Sequence, residues 1–202
     1  MKINYGGTKH LVDAINMYSK KKVWLFYSST SHVYQFKDKI INENDKKKPI
    51  SYYGLTKLKG EEYILKNRKK IRPCIGRIFS FTSKSQNKNF IVPTLINKLK
   101  KKNEKIYFKN LNHFRDFLTL GKIISAISLM LNKKLVGIYN ISSGKKINLL
   151  DILNFLNSKY KKKIIIKYNS NKTILYGSNS KLIKKGWKLN NFNFLKSFEK
   201  NY

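Results

Sequence analysis

VWLFYSST at residues 23–30, followed about twenty residues later by PISYYGLTK at 49–57, is the pair of stretches on which the reading turns. Val23 to Tyr27 form a short continuous apolar run of the kind buried inside parallel sheets. The run closes on the hydroxyls of Ser28, Ser29, Thr30 and Ser31. Ser51 is the expected N-cap of a helix from about Tyr52 to Asn67. On that helix Tyr53 and Lys57 stand at i and i+4, which puts both on one face. The spacing is common in this chain, recurring at Tyr5/Lys9, Tyr18/Lys22 and Tyr168/Lys172. Only the pair at 53 and 57 follows a strand that ends in hydroxyls. A phenol with a pKa of about 10 is a poor base at neutral pH. A lysine ammonium one turn away favours the phenolate, so the pair suits proton transfer with sugar alcohols and ketones.

Elsewhere the chain alternates strand and helix. Leu11, Val12, Ala14, Ile15 and Met17 recur at helical spacing, which predicts an amphipathic helix over residues 5–19. Further strands are predicted at 73–79, 105–108, 115–118, 137–141 and 163–168, and further helices at 92–101, 120–131, 149–159 and 180–185. Alternation of this kind implies parallel strands joined by right-handed crossovers. The expected architecture is α/β: an incomplete Rossmann-like doubly wound parallel sheet carrying a small C-terminal α/β lobe. Residues 1–85 are assigned to the sheet layer and 86–202 to a substrate-side lobe interleaved with it.

The formal charge of +34 ordinarily points to nucleic acid or an anionic membrane. Arginine, however, supplies only four of the 44 basic residues, and the rest is lysine in a background crowded with asparagine and isoleucine. Those three residues share A/T-rich codons, so codon bias explains the charge without a ligand. Specific phosphate sites favour the arginine fork. Nucleic-acid binding is kept as a minor alternative. The lone Cys74, in PCIGRIF, excludes an internal disulfide and reads as a buried thiol. His32 and His113 have no third ligand at useful spacing, so no metal site is expected. Glu61 and Glu62 read as helix-surface charge beside Lys57 to Lys59. No apolar segment reaches membrane-spanning length, and no signal peptide precedes the first helix, so a cytoplasmic location is expected.

Six segments, FYSSTSHVY, PISYYGLTKLKGEE, GRIFSF, FRDF, YNISSG and SKLIKKGWKL, occur in an order and spacing that resembles the extended short-chain dehydrogenase/reductase family, and within it the NAD-dependent nucleotide-sugar epimerases and dehydratases. The likeness runs from Asn4 to Trp187. It implies NAD or NADP as cofactor and a nucleotide-sugar as substrate. It assigns the substrate-orienting hydroxyl to Thr30, the proton acceptor to Tyr53, and to Lys57 both the tuning of that tyrosine and the nicotinamide ribose, so that Tyr53 and Lys57 also contact the cofactor. Arg115 falls on an arginine that grips the substrate diphosphate, Ser80 on a sugar-contacting position often held by asparagine, and Phe90 and Pro93 on a nucleotide-contacting loop. Trp187 matches a terminal packing element. Helices near 5–19 and 52–67 are implied to form a homodimer interface.

The chain departs from the family pattern in places. Ser31 and His32 stand where dehydratases of the family carry an acidic pair, which tilts the expectation to an epimerase or reductase. A second phosphate-binding arginine is replaced by Asn171 and Lys172. No Gly-x-x-Gly-x-x-Gly turn for the dinucleotide pyrophosphate is found. These departures carry the expectation of a truncated chain or one part of a split enzyme, inactive by itself or completed by an N-terminal half. The strand at 23–27 would then be an exposed apolar edge.

Overall fold

The computed structural model of the chain describes residues 2–103, 105–189 and 191–199. A wide turn over Lys2–Gly6 leads into α1 (Gly7–Tyr18), then β1 (Val23–Thr30) and a short 3-10 turn at Ser31–Val33. Beyond a long loop come α2 (Tyr52–Lys66), β2 (Ile71–Ile78), β3 (Ser80–Thr82) and α3 (Ile91–Leu99). The chain continues through β4 (Lys105–Lys109), β5 (Phe114–Arg115), β6 (Phe117–Thr119), α4 (Leu120–Asn132) and β7 (Gly137–Ile141). It ends with β8 (Ile147–Asn148), α5 (Leu149–Tyr160), β9 (Lys163–Lys167), β10 (Ile174–Leu175), α6 (Ser180–Ile183) and α7 (Phe194–Glu199).

The central sheet has the order β1-β2-β7, with both pairings parallel. β1 runs three residues past its predicted end, because Ser28, Ser29 and Thr30 pair in register with Gly76, Arg77 and Ile78. Successive side chains of a strand point to opposite faces. Leu25 and Tyr27 accordingly pack with Val12 of α1 and Ile64 of α2, while Trp24 and Phe26 belong to the cluster that holds Ile123, Ala126 and Met130 of α4. The sheet is therefore covered on both faces, as a doubly wound architecture requires. β7 comes from the second half of the sequence and pairs with β2 in the same sheet. Cys74 is fully buried in this core, and burial pushes its thiol up to about 11.

The remaining strands make three small separate sheets. β3 pairs with β6 and β4 with β9, both parallel, while β5 lies between β10 and β8. The predicted strand over 115–118 is broken at Asp116. This buried carboxylate accepts the N–H groups of Ser143 at 2.6 Å and Gly144 at 3.0 Å, which draws the loop after β7 against the break. Trp187 is 4% exposed and its indole N–H donates to Ser125 of α4, a packing role. Among the described residues, no helix is long and apolar enough to cross a membrane.

Candidate functional site

α2 begins where its sequence says it should. Ser51, in extended backbone, accepts the N–H of Gly54 at 3.0 Å, and its hydroxyl also meets Nδ1 of His32 at 3.1 Å. The cap thus ties the start of α2 to the turn that follows β1. Two glycines let the helix lie close. A Cβ on Gly54 would stand 2.2 Å from the His32 carbonyl oxygen, and one on Gly60 would stand 2.2 Å from the Tyr27 hydroxyl. Only a residue without a side chain permits that approach.

Tyr53, Lys57 and Glu61 form one stripe along α2, facing the end of β1. Lys57 Nζ donates to the Ser28 carbonyl at 2.9 Å and lies 5.8 Å from the centre of the Tyr53 ring. Thr30, buried at the strand end, accepts the His32 N–H through its hydroxyl oxygen at 3.3 Å. Among the described residues no acceptor takes the Thr30 hydroxyl proton. Burial lowers the Lys57 pKa and raises that of Tyr53. Desolvation thus works against the phenolate form that a tyrosine base needs.

A cleft of 670 Å³ opens over these groups. Ser28 to His32 and Tyr53 line one side, and Ile78 to Phe81, Gln86, Phe90 and Ile91 the other. The structure brings Thr30, Tyr53, Ser80 and Phe90 around one space, while Lys57 is outside the lining and reaches the Ser28 carbonyl. Pro93 is buried in the first turn of α3 and is outside that lining. Arg115 also stands apart from the lining. Its guanidinium donates to the Thr173 carbonyl at 3.0 Å and hydroxyl at 2.8 Å, and packs on the Phe36 ring. Burial brings its pKa down to about 10, the mark of a cation that gains little from its surroundings. Asp116, its sequence neighbour, turns away to loop amides, and the nearby acidic residue Glu104 lies outside the described residues. Arg115 lowers the pKa of His32 by charge, after burial, so the two groups sit within electrostatic reach.

Glu61 corrects the sequence reading. Far from being surface charge, it is 1% exposed and paired with Arg77, itself 1% exposed. Arg77 Nη1 also donates to the Tyr34 hydroxyl at 2.7 Å and the Glu43 carbonyl at 2.9 Å, and Tyr34 donates to Asn140 on β7. Burial works to lower the Arg77 pKa, but its bonds to Glu61 and Tyr34 reverse the sign and hold it above the ordinary arginine value. The scarcity of arginine was the available signal for Arg77. For Gln86, whose Nε2 donates to the Phe81 carbonyl at 3.2 Å, the sequence holds no comparable mark.

The family of GDP-mannose 4,6 dehydratase matches residues 1–189. GDP-6-deoxy-D-talose 4-dehydrogenase of Aggregatibacter actinomycetemcomitans is 27% identical over 132 residues, which are 65% of this chain and 45% of that protein. A protein of Methanocaldococcus jannaschii provisionally named a UDP-glucose 4-epimerase is 31% identical over 160 residues, 76% of this chain and 52% of its own length. The chain thus spans about half the length of the curated relatives it matches. Among solved structures, the Bacillus cereus UDP-glucuronic acid 4-epimerase, in complex with UDP-glucuronic acid and NAD, superposes with a TM-score of 0.86 at 23% identity, over 100% of this chain and 66% of that one. The Pseudomonas aeruginosa protein RMD, complexed with NADPH, gives 0.83 at 21% identity, over 93% and 68%. At these identities the likeness to solved structures is one of fold.

Proposed function

The chain belongs to the family of GDP-mannose 4,6 dehydratase, within the NAD-dependent nucleotide-sugar epimerases and dehydratases of the extended short-chain dehydrogenase/reductase type, and from that premise we propose that it carries the sugar-side half of an epimerase or reductase acting on a nucleotide-sugar. One observation carries the reading: Tyr53 and the strand-end Thr30 line one cleft of 670 Å³, and Lys57, one turn along from Tyr53, bonds the Ser28 carbonyl near that strand end.

In the proposed reaction Tyr53 takes the proton of a sugar hydroxyl while Thr30 donates a hydrogen bond to the same oxygen and holds it in place. A bound nicotinamide, NAD or NADP, supplies the acceptor for the hydride leaving the sugar carbon, and its positive charge favours the phenolate. The residues present fit that end of the cofactor: Lys57 spends one N–H on Ser28 and keeps two for the ribose. No described residue offers the glycine-rich cradle for the pyrophosphate, so the dinucleotide half is assigned to other residues. Arg115 is assigned to the substrate diphosphate, as a guanidinium without a carboxylate among the described residues. The neutral side chains of Ser31 and His32 beside Thr30 favour epimerase or reductase over dehydratase.

Titration of the purified chain with NADH, NADPH, UDP-glucose and GDP-mannose tests this reading. Sugar-nucleotide binding supports it, and absence of all four kinds of binding removes it. In any active assembly Tyr53→Phe is expected to abolish turnover and spare substrate binding; unchanged turnover refutes the assignment.

A second reading concerns assembly. β1 pairs only with β2 among the described strands, and its other edge is open. Such an edge accepts further parallel strands, which favours a complementing half alongside β1. Exposed Leu11, Met17 and Tyr18 on α1 and Tyr52 on α2 offer a homodimer face. The molar mass in solution, by light scattering, distinguishes the two arrangements.

A further inference from the structure

Glu61 lies two turns beyond Tyr53 on the stripe that carries Lys57, where solvent would normally be expected. Instead the carboxylate sits between two strands. Ser29 and Arg77 are register partners across β1 and β2, so their side chains leave the same face of the sheet at the same height. Oε1 of Glu61 accepts the Ser29 hydroxyl at 2.5 Å and Arg77 Nε at 3.0 Å, while Oε2 accepts Arg77 Nη2 at 2.5 Å. Arg77 cannot swing away, because Tyr34 and the Glu43 carbonyl hold its other arm.

One turn earlier on α2, Lys57 grips the carbonyl of Ser28. Consecutive turns of the helix are thus fastened to consecutive residues of the strand, immediately before Thr30. A slide of α2 by one residue, about 1.5 Å, would break both fastenings at once. It would also carry Tyr53 away from Thr30 by a distance of the order at which acid–base chemistry fails, since about 1 Å costs roughly a hundredfold. We propose that Glu61 is a positioning residue: gripped by Ser29 and Arg77 at matched strand positions, it sets the register of α2 over β1 and β2 and so the separation between Tyr53 and Thr30. Ser29 is then an anchor. Its proton belongs to Glu61, which leaves Thr30 as the hydroxyl that meets the sugar. The inference rests on the proposed roles of Tyr53 and Thr30.

The test uses the isotopically labelled chain, its Ser29→Ala and Glu61→Gln variants, and Ser29→Thr, which restores a hydroxyl. The first readout needs no ligand. The rings of His32 and Tyr53 lie edge to face with centroids 6.3 Å apart, a contact visible as a nuclear Overhauser effect. It should disappear in Ser29→Ala and Glu61→Gln and return in Ser29→Thr. The second compares UDP-glucose with UDP, and GDP-mannose with GDP, by calorimetry. The sugar-bearing ligand should lose about tenfold in affinity in Ser29→Ala, the worth of one hydrogen bond from Thr30, with UDP and GDP unchanged. Folded variants that keep the ring contact overturn the proposal, as does an equal loss for ligands with and without sugar, the signature of a merely structural role. If the unaltered chain binds no nucleotide at all, the functional reading fails by itself, and the ring contact still decides the role of Glu61.

Discussion

Replacing Arg77 by methionine offers a sharp energetic test of the buried network. The substitution keeps much of the side-chain volume and removes every donor. Glu61, 1% exposed, would retain only the Ser29 hydroxyl, and the Glu43 carbonyl would lose its Arg77 partner. Breaking a buried ion pair by removing one partner costs about 3–5 kcal/mol, because the surviving charge is stranded in a poor dielectric. The orphaned carbonyl adds a penalty that is not simply additive. In a chain of this size each kcal/mol lowers the melting temperature by about 2–4 °C, so a fall of roughly 6–20 °C is expected. Arg77→Lys should fall between the two, since an ammonium neutralises Glu61 but cannot fork to Tyr34 and Glu43 as well. Arg77→Met/Glu61→Leu should recover a large part of the loss, as paired apolar replacements of buried ion pairs often do. Urea unfolding followed by circular dichroism measures all three. A loss below about 1 kcal/mol for Arg77→Met would mean that Glu61 is better solvated than its burial indicates, and the reasoning would fail.

Gly54→Ala should destabilise the chain by about 1–3 kcal/mol, because the new methyl meets a backbone carbonyl that cannot move aside. The same variant should push α2 off the strand end and weaken nucleotide-sugar binding, as calorimetry would show; a neutral result contradicts the close packing. Asp116 gives a pH signature. Burial, opposed by N–H and hydroxyl bonds from Ser143 and by the N–H groups of Gly177 and Gly144, pushes its pKa from 3.8 up to about 6. The folded chain therefore binds this proton more tightly than the unfolded chain, and the stability it contributes is full below the ordinary value and lost as pH rises through about 6. Unfolding free energies of the chain and of Asp116→Asn, compared between those limits, should converge or diverge with pH accordingly, and parallel profiles would refute the shift.

Local physics made much of the scaffold legible. Ser51 could be identified as a cap because its role depends on three residues of neighbouring backbone. The apolar run after residue 22 announced a strand, though Val23 to Phe26 are only half-buried there, and Gly137–Ile141 was bounded as it stands. Pieces of two or three residues, such as β3, β8 and β10, were invisible, since each exists only through a partner far along the chain. The strand predicted at 115–118 was split by a carboxylate whose partners lie more than twenty residues away. The site divided in the same manner. Tyr53, Lys57 and Thr30 were readable as a helix stripe and a strand end, whereas the depth of Glu61 was not.

The sequence by itself determined that strands and helices alternate, where α2 starts, and which residues share its inner stripe, because each follows from the period of a helix or strand and from short-range capping. Only the tertiary structure decided which members of that stripe lie in solvent and which in the core. A glutamate beside lysines on a helix is equally at home in water, and what buries Glu61 is the parallel pairing that sets Ser29 beside Arg77, an arrangement between residues 48 apart whose register no local pattern encodes.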